Sequence, residues 1–385
     1  MASPFRLAAI ASALIVVLAG CSGGGASASP SVAAPASPSA SVATSASASA
    51  SAAASGSAAL AEVCTAPPKH EGTTVTFVSY GGAYQEAQRK GWLQPYSQLT
   101  GVQFTEEEGT DYAKIKSQVE SGQVTWDIVD VGNDFGLDAN KDLLEPLDYN
   151  LIAKDQILEG FAGTYRVGDI TYGVTLAYNT DKVSGKPSGW ADFFDLQKFP
   201  GKRGLWKYAT GGVLEFALMA DGVGPKELYP LDVDRALKKL ETIKSQIVWW
   251  DTGAQSQERI GSGEVALTMI WNGRGWSAKN TDKKPVEISW KQQILTADYL
   301  VIPKGSPNKD VAQEFIAWAT CANNNSAPSK FIPYGPTNKF ATPDPSHVSD
   351  LAVSNVDDST AYFDDAYLVD NFDDLDAKFQ AWVGQ

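Results

Sequence analysis

From Thr73 onward the chain changes between two rhythms of apolar and polar positions. "TTVTFVS" (73–79) has the look of a strand. In "GGAYQEAQRKGWLQPYSQLTG", Tyr84, Ala87, Leu93, Tyr96 and Leu99 recur at roughly helical spacing, and Gly101 supplies a stop. A strand "VQFTEE", a helix "DYAKIKSQVES" and a strand "WDIVDVG" follow. This β-α-β-α-β run predicts a parallel sheet with right-handed crossovers, whose ligand edge lies at the C-terminal ends of its strands. Those ends carry Tyr80, Gly81 and Gly82 in one loop and Gly132, Asn133 and Asp134 in another.

A second unit follows. "YGVTLAYNT" (172–180) predicts an extended crossing segment, and "SGWADFFD" and "GGVLEFALMADG" predict helices. "DVDRALKKLETIKSQ" (232–246) is the clearest helix, with Asp232 as N-cap and Val233, Leu237, Leu240 and Ile243 on one face. "EVALTMIW" predicts a strand that runs into a glycine-containing turn, "NGRGW", with Arg274 at its tip. "ADYLVIP" (297–303) predicts another strand, and "NKDVAQEFIAWATC" and "FDDLDAKFQAWV" predict helices. No internal repeat is visible.

The first sixty residues have a different character. "MASPFRLAAIASALIVVLAGC" places Arg6 before an apolar run and small residues before Cys21, the pattern of a secretory signal peptide over 1–20. "LAGC" resembles a bacterial lipoprotein signal, which implies that Cys21 becomes the lipidated N-terminus. Residues 21–62 are dominated by Ser, Ala, Gly and Pro; they bury too little apolar area to offset ordering and predict a disordered tether. No later segment offers the ~20 apolar residues of a membrane span. The two remaining cysteines, Cys64 and Cys321, form an even pair in an exported chain and predict a disulfide, with two free buried thiols as the alternative.

Bulk properties narrow the function. The length of 385 residues suffices for two packed domains, and the net charge of −14 argues against nucleic acid and for small cationic or zwitterionic ligands. Two histidines, three cysteines and no nucleophile elbow, HExxH or phosphate loop leave little basis for catalysis, a metal or a cofactor. The run "EEE" (106–108) is expected to be a solvated strand end.

"YGVTLAYNT", "SGWADFFD", "FPGKRGLW", "SGEVALTMIWNG", "ADYLVIP" and "IPYGPTN" occur in an order that resembles polyamine-type (spermidine/putrescine-like) solute-binding proteins of ABC transporters, over roughly 72–345. The resemblance implies an α/β, two-lobe periplasmic-binding-protein-like fold of type II. Mixed sheets would be flanked by helices, with hinge strands between lobes. Lobe 1 is then 72–175 plus 303–385, and lobe 2 is 176–302. It also implies closure around one small ligand and delivery to ABC permease subunits. The protein would be a monomer, anchored outside the cytoplasm in the periplasm or on the outer cell surface.

Within that resemblance, Trp271 falls on a tryptophan that flanks the ligand, Asp298 on an aspartate that binds an amine, and Tyr334 on a cleft tyrosine. Trp250 lies near an aromatic position. Where putrescine-type members carry an acid, this chain has Arg274; where spermidine-type members carry two acids, it reads "WKYATGGVLEF". An arginine clamps a carboxylate and an aspartate holds an ammonium, so Arg274 and Asp298 on neighbouring strand ends predict an ω-amino acid such as γ-aminobutyrate. A diamine would meet a like charge at Arg274. Tyr80 and Tyr84 flank the Gly81–Gly82 turn, whose N–H groups at a helix start also suit a carboxylate. Alternatives are that Arg274 turns outward or pairs with Asp298 or Asp251, that the protein is a spermidine/putrescine receptor, or that it is a secreted enzyme or sugar-binding protein on the same scaffold.

Overall fold

The computed structural model of the protein describes residues 64–384. The signal peptide, Cys21 and the tether expected over 1–62 lie outside the described residues.

The described residues form ten strands: β1 Thr74–Ser79, β2 Gln103–Glu108, β3 Ile128–Val131, β4 Val167–Asn179, β5 Arg203–Trp206, β6 Ile247–Trp250, β7 Leu267–Trp271, β8 Val286–Val301, β9 Gly335–Pro336 and β10 Ala361–Tyr362. They make one mixed sheet in the order β2-β1-β3-β8-β4-β7-β5-β6, flanked by helices, with β10 added to β8 and β9 to β4. The β-α-β-α-β run folds as expected: β1 pairs in parallel with both β2 and β3. A second parallel set, β7-β5-β6, lies on the far side.

Two long antiparallel strands, β4 and β8, join the sets. Both run well past the segments legible as strands: β4 has 13 residues, every one buried, and β8 has 16. β8 holds β3 through Tyr299–Val301, and β4 holds β7 through Val174–Tyr178. A strand buried on both faces loses the period-two alternation that marks a half-exposed one, so only its apolar stretch was visible in sequence.

The expected long first helix is broken by a wider turn. Helix Gly82–Gln88 passes through a π-helical segment, Arg89–Leu93, into helix Gln94–Thr100. Gly91 sits in that segment because a Cβ there would come within 2.7 Å of the Pro328 backbone. The extra residue shifts the phase. Tyr84, Ala87, Leu93 and Tyr96 are buried, but Leu99, expected on the same face, is 47% exposed. Helix Val233–Glu241 is capped by Asp232, which accepts from the Arg235 N–H at 3.1 Å. The closing helix Phe372–Val383 packs on that helix and on β6: Trp382 donates to Glu241 at 2.7 Å, and Phe379 meets Trp249 edge-on. A disulfide joins Cys64 to Cys321, just past helix Lys309–Thr320.

Candidate functional site

Three short apolar strands of the second set each end in tryptophan: β5 at Trp206, β6 at Trp250 and β7 at Trp271. Parallel register places Trp206 opposite Trp250. All three rings therefore gather at one carboxyl edge, where α/β sheets hold their ligands. Trp271 is the hub. Its ring centroid lies 5.5 Å from Trp206, 5.5 Å from Trp250, 5.8 Å from Tyr80 and 6.4 Å from Tyr172. Tyr334 extends the wall, 5.7 Å from Tyr172 and 5.2 Å from Tyr84.

"NGRGW" is not a turn. β7 passes at Trp271 directly into helix Asn272–Asn280, and Arg274 lies in its first turn. Asn272 fixes the junction: it accepts from the Gly173 N–H at 2.9 Å and donates to the Pro333 carbonyl at 2.8 Å. The glycines that suggested a loop are packing positions. A Cβ on Gly273 would meet the Tyr334 ring at 2.6 Å, and one on Gly275 would crowd Ile288 at 3.0 Å.

This geometry turns Arg274 inward, with no exposed surface and no ion pair among the described residues. Nη2 donates to the carbonyls of Gly81, at 2.6 Å, and Tyr80, at 3.2 Å, while Nε and Nη1 have no partner among the described residues. The other buried arginines behave differently. Arg203 spends Nε, Nη1 and Nη2 on the carbonyls of Phe193, Gly201, Asp195 and Phe199. Arg166 donates to two carbonyls and to Asp365. Burial pushes the Arg274 guanidinium below its ordinary value, while Tyr334, Tyr84, Glu108 and Asp298 push it back up.

The guanidinium is seated between two glycines. A Cβ at Gly82 would come within 2.6 Å of Nη1, and one at Gly253 within 2.6 Å of Nε and 2.7 Å of the Trp271 ring. Gly253→Ala should therefore displace arginine and tryptophan together. We expect a cost of about 1–3 kcal/mol in stability from overpacking and a solute affinity at least tenfold weaker. Thermal melting and titration check this, and wild-type values in both would show that the seat is not tight.

Asp298 lies within β8 rather than at a strand end. The sheet register gives it two companions that sequence reasoning missed. Asp130 of β3 pairs with Leu300, two residues from Asp298 and so on the same face. Asp169 sits at a register shift of β4 beside Ile170, which pairs with Asp298. Asp130 accepts from Gln88 at 2.6 Å and Ser79 at 3.0 Å; Asp169 accepts from Tyr84 at 3.0 Å and the Ile170 N–H at 2.8 Å. Burial, then mutual repulsion, pushes Asp130 and Asp298 well above the carboxylate range. Burial also raises Asp169, to about 7. Acids inside the apolar runs "DIVDV" and "VGDITYG" are the available signal, but a chain this acidic places such residues by chance.

The remaining expected positions are occupied otherwise. The Gly81 N–H donates to Gln85 at 3.0 Å, and its carbonyl faces Arg274, so this turn presents acceptors as much as donors. Asn133 donates to Asp365 at 3.1 Å, and its carbonyl accepts from Arg166. Both Asp134 oxygens are engaged, by Tyr112 and Thr210, each at 2.6 Å. Asp251 is exposed and away from Arg274's bonds. Of the "EEE" run, Glu106 pairs with Arg89 and Glu107 with Lys114.

The site thus combines an aromatic wall, a buried and incompletely satisfied guanidinium, and a group of buried carboxylates. Residues 91–376 match the family described as bacterial extracellular solute-binding protein. The chain belongs to that family. It is 33% identical to the γ-aminobutyric acid-binding protein of Pseudomonas aeruginosa, over 83% of this chain and 94% of that one. Among solved structures it resembles the Atu4243-GABA receptor at 41% identity and a TM-score of 0.74, over 81% of this chain and 98% of that one. It also resembles AgtB of A. tumefaciens R10, solved with agropinic acid, at 35% identity and a TM-score of 0.76, over 82% of this chain and all of that one. The mixed α/β periplasmic-binding-protein fold and the solute-binding family expected from sequence are both borne out. The relatives are solute-binding proteins, not enzymes.

Proposed function

We propose that this solute-binding protein captures a small ω-amino acid, with γ-aminobutyrate the favoured ligand, and presents it to an ABC permease. The observation that carries the reading is Arg274: a fully buried guanidinium with Nε and Nη1 unpartnered among the described residues, in a fold that gives every nitrogen of Arg203 a carbonyl. A carboxylate supplies the missing counter-charge and an acceptor for one of the free nitrogens, Nε or Nη1, which point to opposite sides of the guanidinium while Nη2 is held by the two carbonyls. Asp298, which interacts electrostatically with Arg274, then takes the ammonium, and Trp271 and Tyr334 cover the methylenes. The names of the Pseudomonas and Atu4243 relatives support the same ligand.

In this reading 72–175 with 303–385, and 176–302, are two lobes that close on the ligand about β4 and β8. Arg274 donating to the Tyr80 and Gly81 carbonyls, and Thr210 to Asp134, supply contacts across the closed cleft. The protein acts as a monomer, held to the membrane through a lipid on Cys21, with 22–62 as tether.

Calorimetric titration of a fragment beginning at Glu62 tests the ligand, with γ-aminobutyrate and putrescine in parallel. We expect the amino acid to bind and the diamine to give no heat. Binding of putrescine alone would overturn the zwitterion reading in favour of a polyamine receptor.

A further inference from the structure

Asp298 suffices to hold one ammonium, yet Asp130, with no exposed surface, and Asp169, equally buried, stand beside it on adjoining strands. Gln88 bridges them, donating to Oδ2 of Asp130 at 2.6 Å and of Asp169 at 3.4 Å, and Tyr84 donates to Asp169. Asp130 Oδ1 is buried with no donor among the described residues. Full ionisation of Asp130 beside two other buried carboxylates would leave charge on an oxygen with no donor, which burial and like-charge repulsion both disfavour.

The surroundings offer little to neutralise three charges. Ser79 and Tyr80 follow from β1, Tyr84 and Gln88 come from helix Gly82–Gln88, and Asp134 lies just past β3. Tyr172 stands on β4 and Tyr334 beside β9; Arg274, from helix Asn272–Asn280, is the cation that acts on Asp298. One guanidinium against three aspartates leaves the group two charges negative if all ionise.

We propose that Asp130 and Asp169 are affinity-determining residues of the solute site: with Asp298 they retain a shared proton in the ligand-free protein and release it to solvent when a cationic solute group docks. This rests on the amino-acid reading above. The ammonium acts at contact distance on Asp298, whereas the ligand's carboxylate is a methylene chain away at Arg274. The nearer charge dominates, and the carboxylates ionise. The proton passes to the buffer and no bond changes otherwise. Burial and mutual repulsion raising these acids, Asp169 to about 7, agree with this. The sign follows: below that pH the ligand must displace a proton, so affinity weakens as pH falls.

The test is calorimetry with γ-aminobutyrate in buffers of differing ionisation enthalpy, from about pH 5.5 to 8. For the wild type we expect release of up to about one proton and a dissociation constant that falls several-fold per pH unit on raising pH. Asp130→Asn should flatten both. A wild-type enthalpy independent of buffer, or a pH profile unchanged in the variant, overturns the proposal.

A ligand-free readout separates this from the ligand assignment. Acids raised in the fold contribute stability at low pH that is lost as pH climbs through their folded values. Asp130→Asn should therefore melt higher relative to wild type at pH 8 than at pH 5.5, with Asp169→Asn as the second variant should the first not fold. Absence of heat with γ-aminobutyrate at every pH would sink the ligand, not the proton; equal melting differences at both pH values would sink the proton.

Discussion

Arg274→Ala should abolish measurable binding of γ-aminobutyrate while leaving a folded protein. The substitution leaves the ligand carboxylate desolvated without a counter-charge, a situation that costs about 3 kcal/mol or more, a hundredfold or greater loss in affinity. Arg274→Lys should recover little, because a single ammonium cannot hold the Tyr80 and Gly81 carbonyls and reach the ligand carboxylate from separate nitrogens as the planar guanidinium does. The fold should tolerate the loss. The side chain gives up bonds to two carbonyls but also removes two buried, unpartnered nitrogens. Titration of the variants beside their melting curves checks both halves. A variant that binds the amino acid with wild-type affinity would show that Nε and Nη1 face no ligand; one that binds putrescine better than wild type would confirm the like-charge argument from the other side.

Cys321→Ser should destabilise the folded part by about 2–5 kcal/mol, or roughly 3–8 °C in melting temperature. The bond to Cys64 closes a loop spanning 257 residues, so its removal frees a large share of the unfolded chain's entropy. Cys64 and its neighbours Thr65–Pro68 also line a cavity of about 370 Å³ against Leu151, Glu314 and Trp318, and lose their tie to that wall. Melting of wild type with and without reductant, beside the serine variant, measures the effect. Solute affinity should stay near wild type, since no candidate site residue touches the bond. A reductant-insensitive melting temperature would mean that the bond adds nothing beyond local packing.

The parts of the fold that follow a simple period were legible in sequence. β1, β2, β3 and the helices Tyr112–Ser121, Val233–Glu241 and Lys309–Thr320 lie where alternation, capping and 3.6-residue spacing put them, although the second ends at Glu241, short of the expected Gln246. What escaped were features fixed by tertiary contact. β4 is buried too completely to alternate, β8 is half-buried over its first part and buried over its last, and glycines at 273 and 275 serve close helix packing rather than a turn. In the site, Trp271, Arg274, Asp298 and Tyr334 could be singled out residue by residue from the family pattern, and the structure gathers them. Trp206 and Tyr172 could not, because aromatic residues in apolar runs are more often core. Nor could the carboxylate group, because three acids 39 and 129 residues apart meet only through the β3-β8-β4 register. Asn133 and Asp134 show the converse: position at a strand end was right, but Asp365, Tyr112 and Thr210 claim their polar atoms.

The Cys64–Cys321 bond also has a mechanical side. Any pull or twist arriving along the chain that precedes Cys64 meets a covalent junction before it reaches β1. It is passed sideways into the end of helix Lys309–Thr320, which bears on the body through buried Phe315, Ile316 and Ala319. β1, whose end leads into the Tyr80–Gly82 loop beneath Arg274, is spared that load. A load entering along that segment would thus be borne by a helix and its packing, and the residues around Arg274 would be mechanically isolated from it.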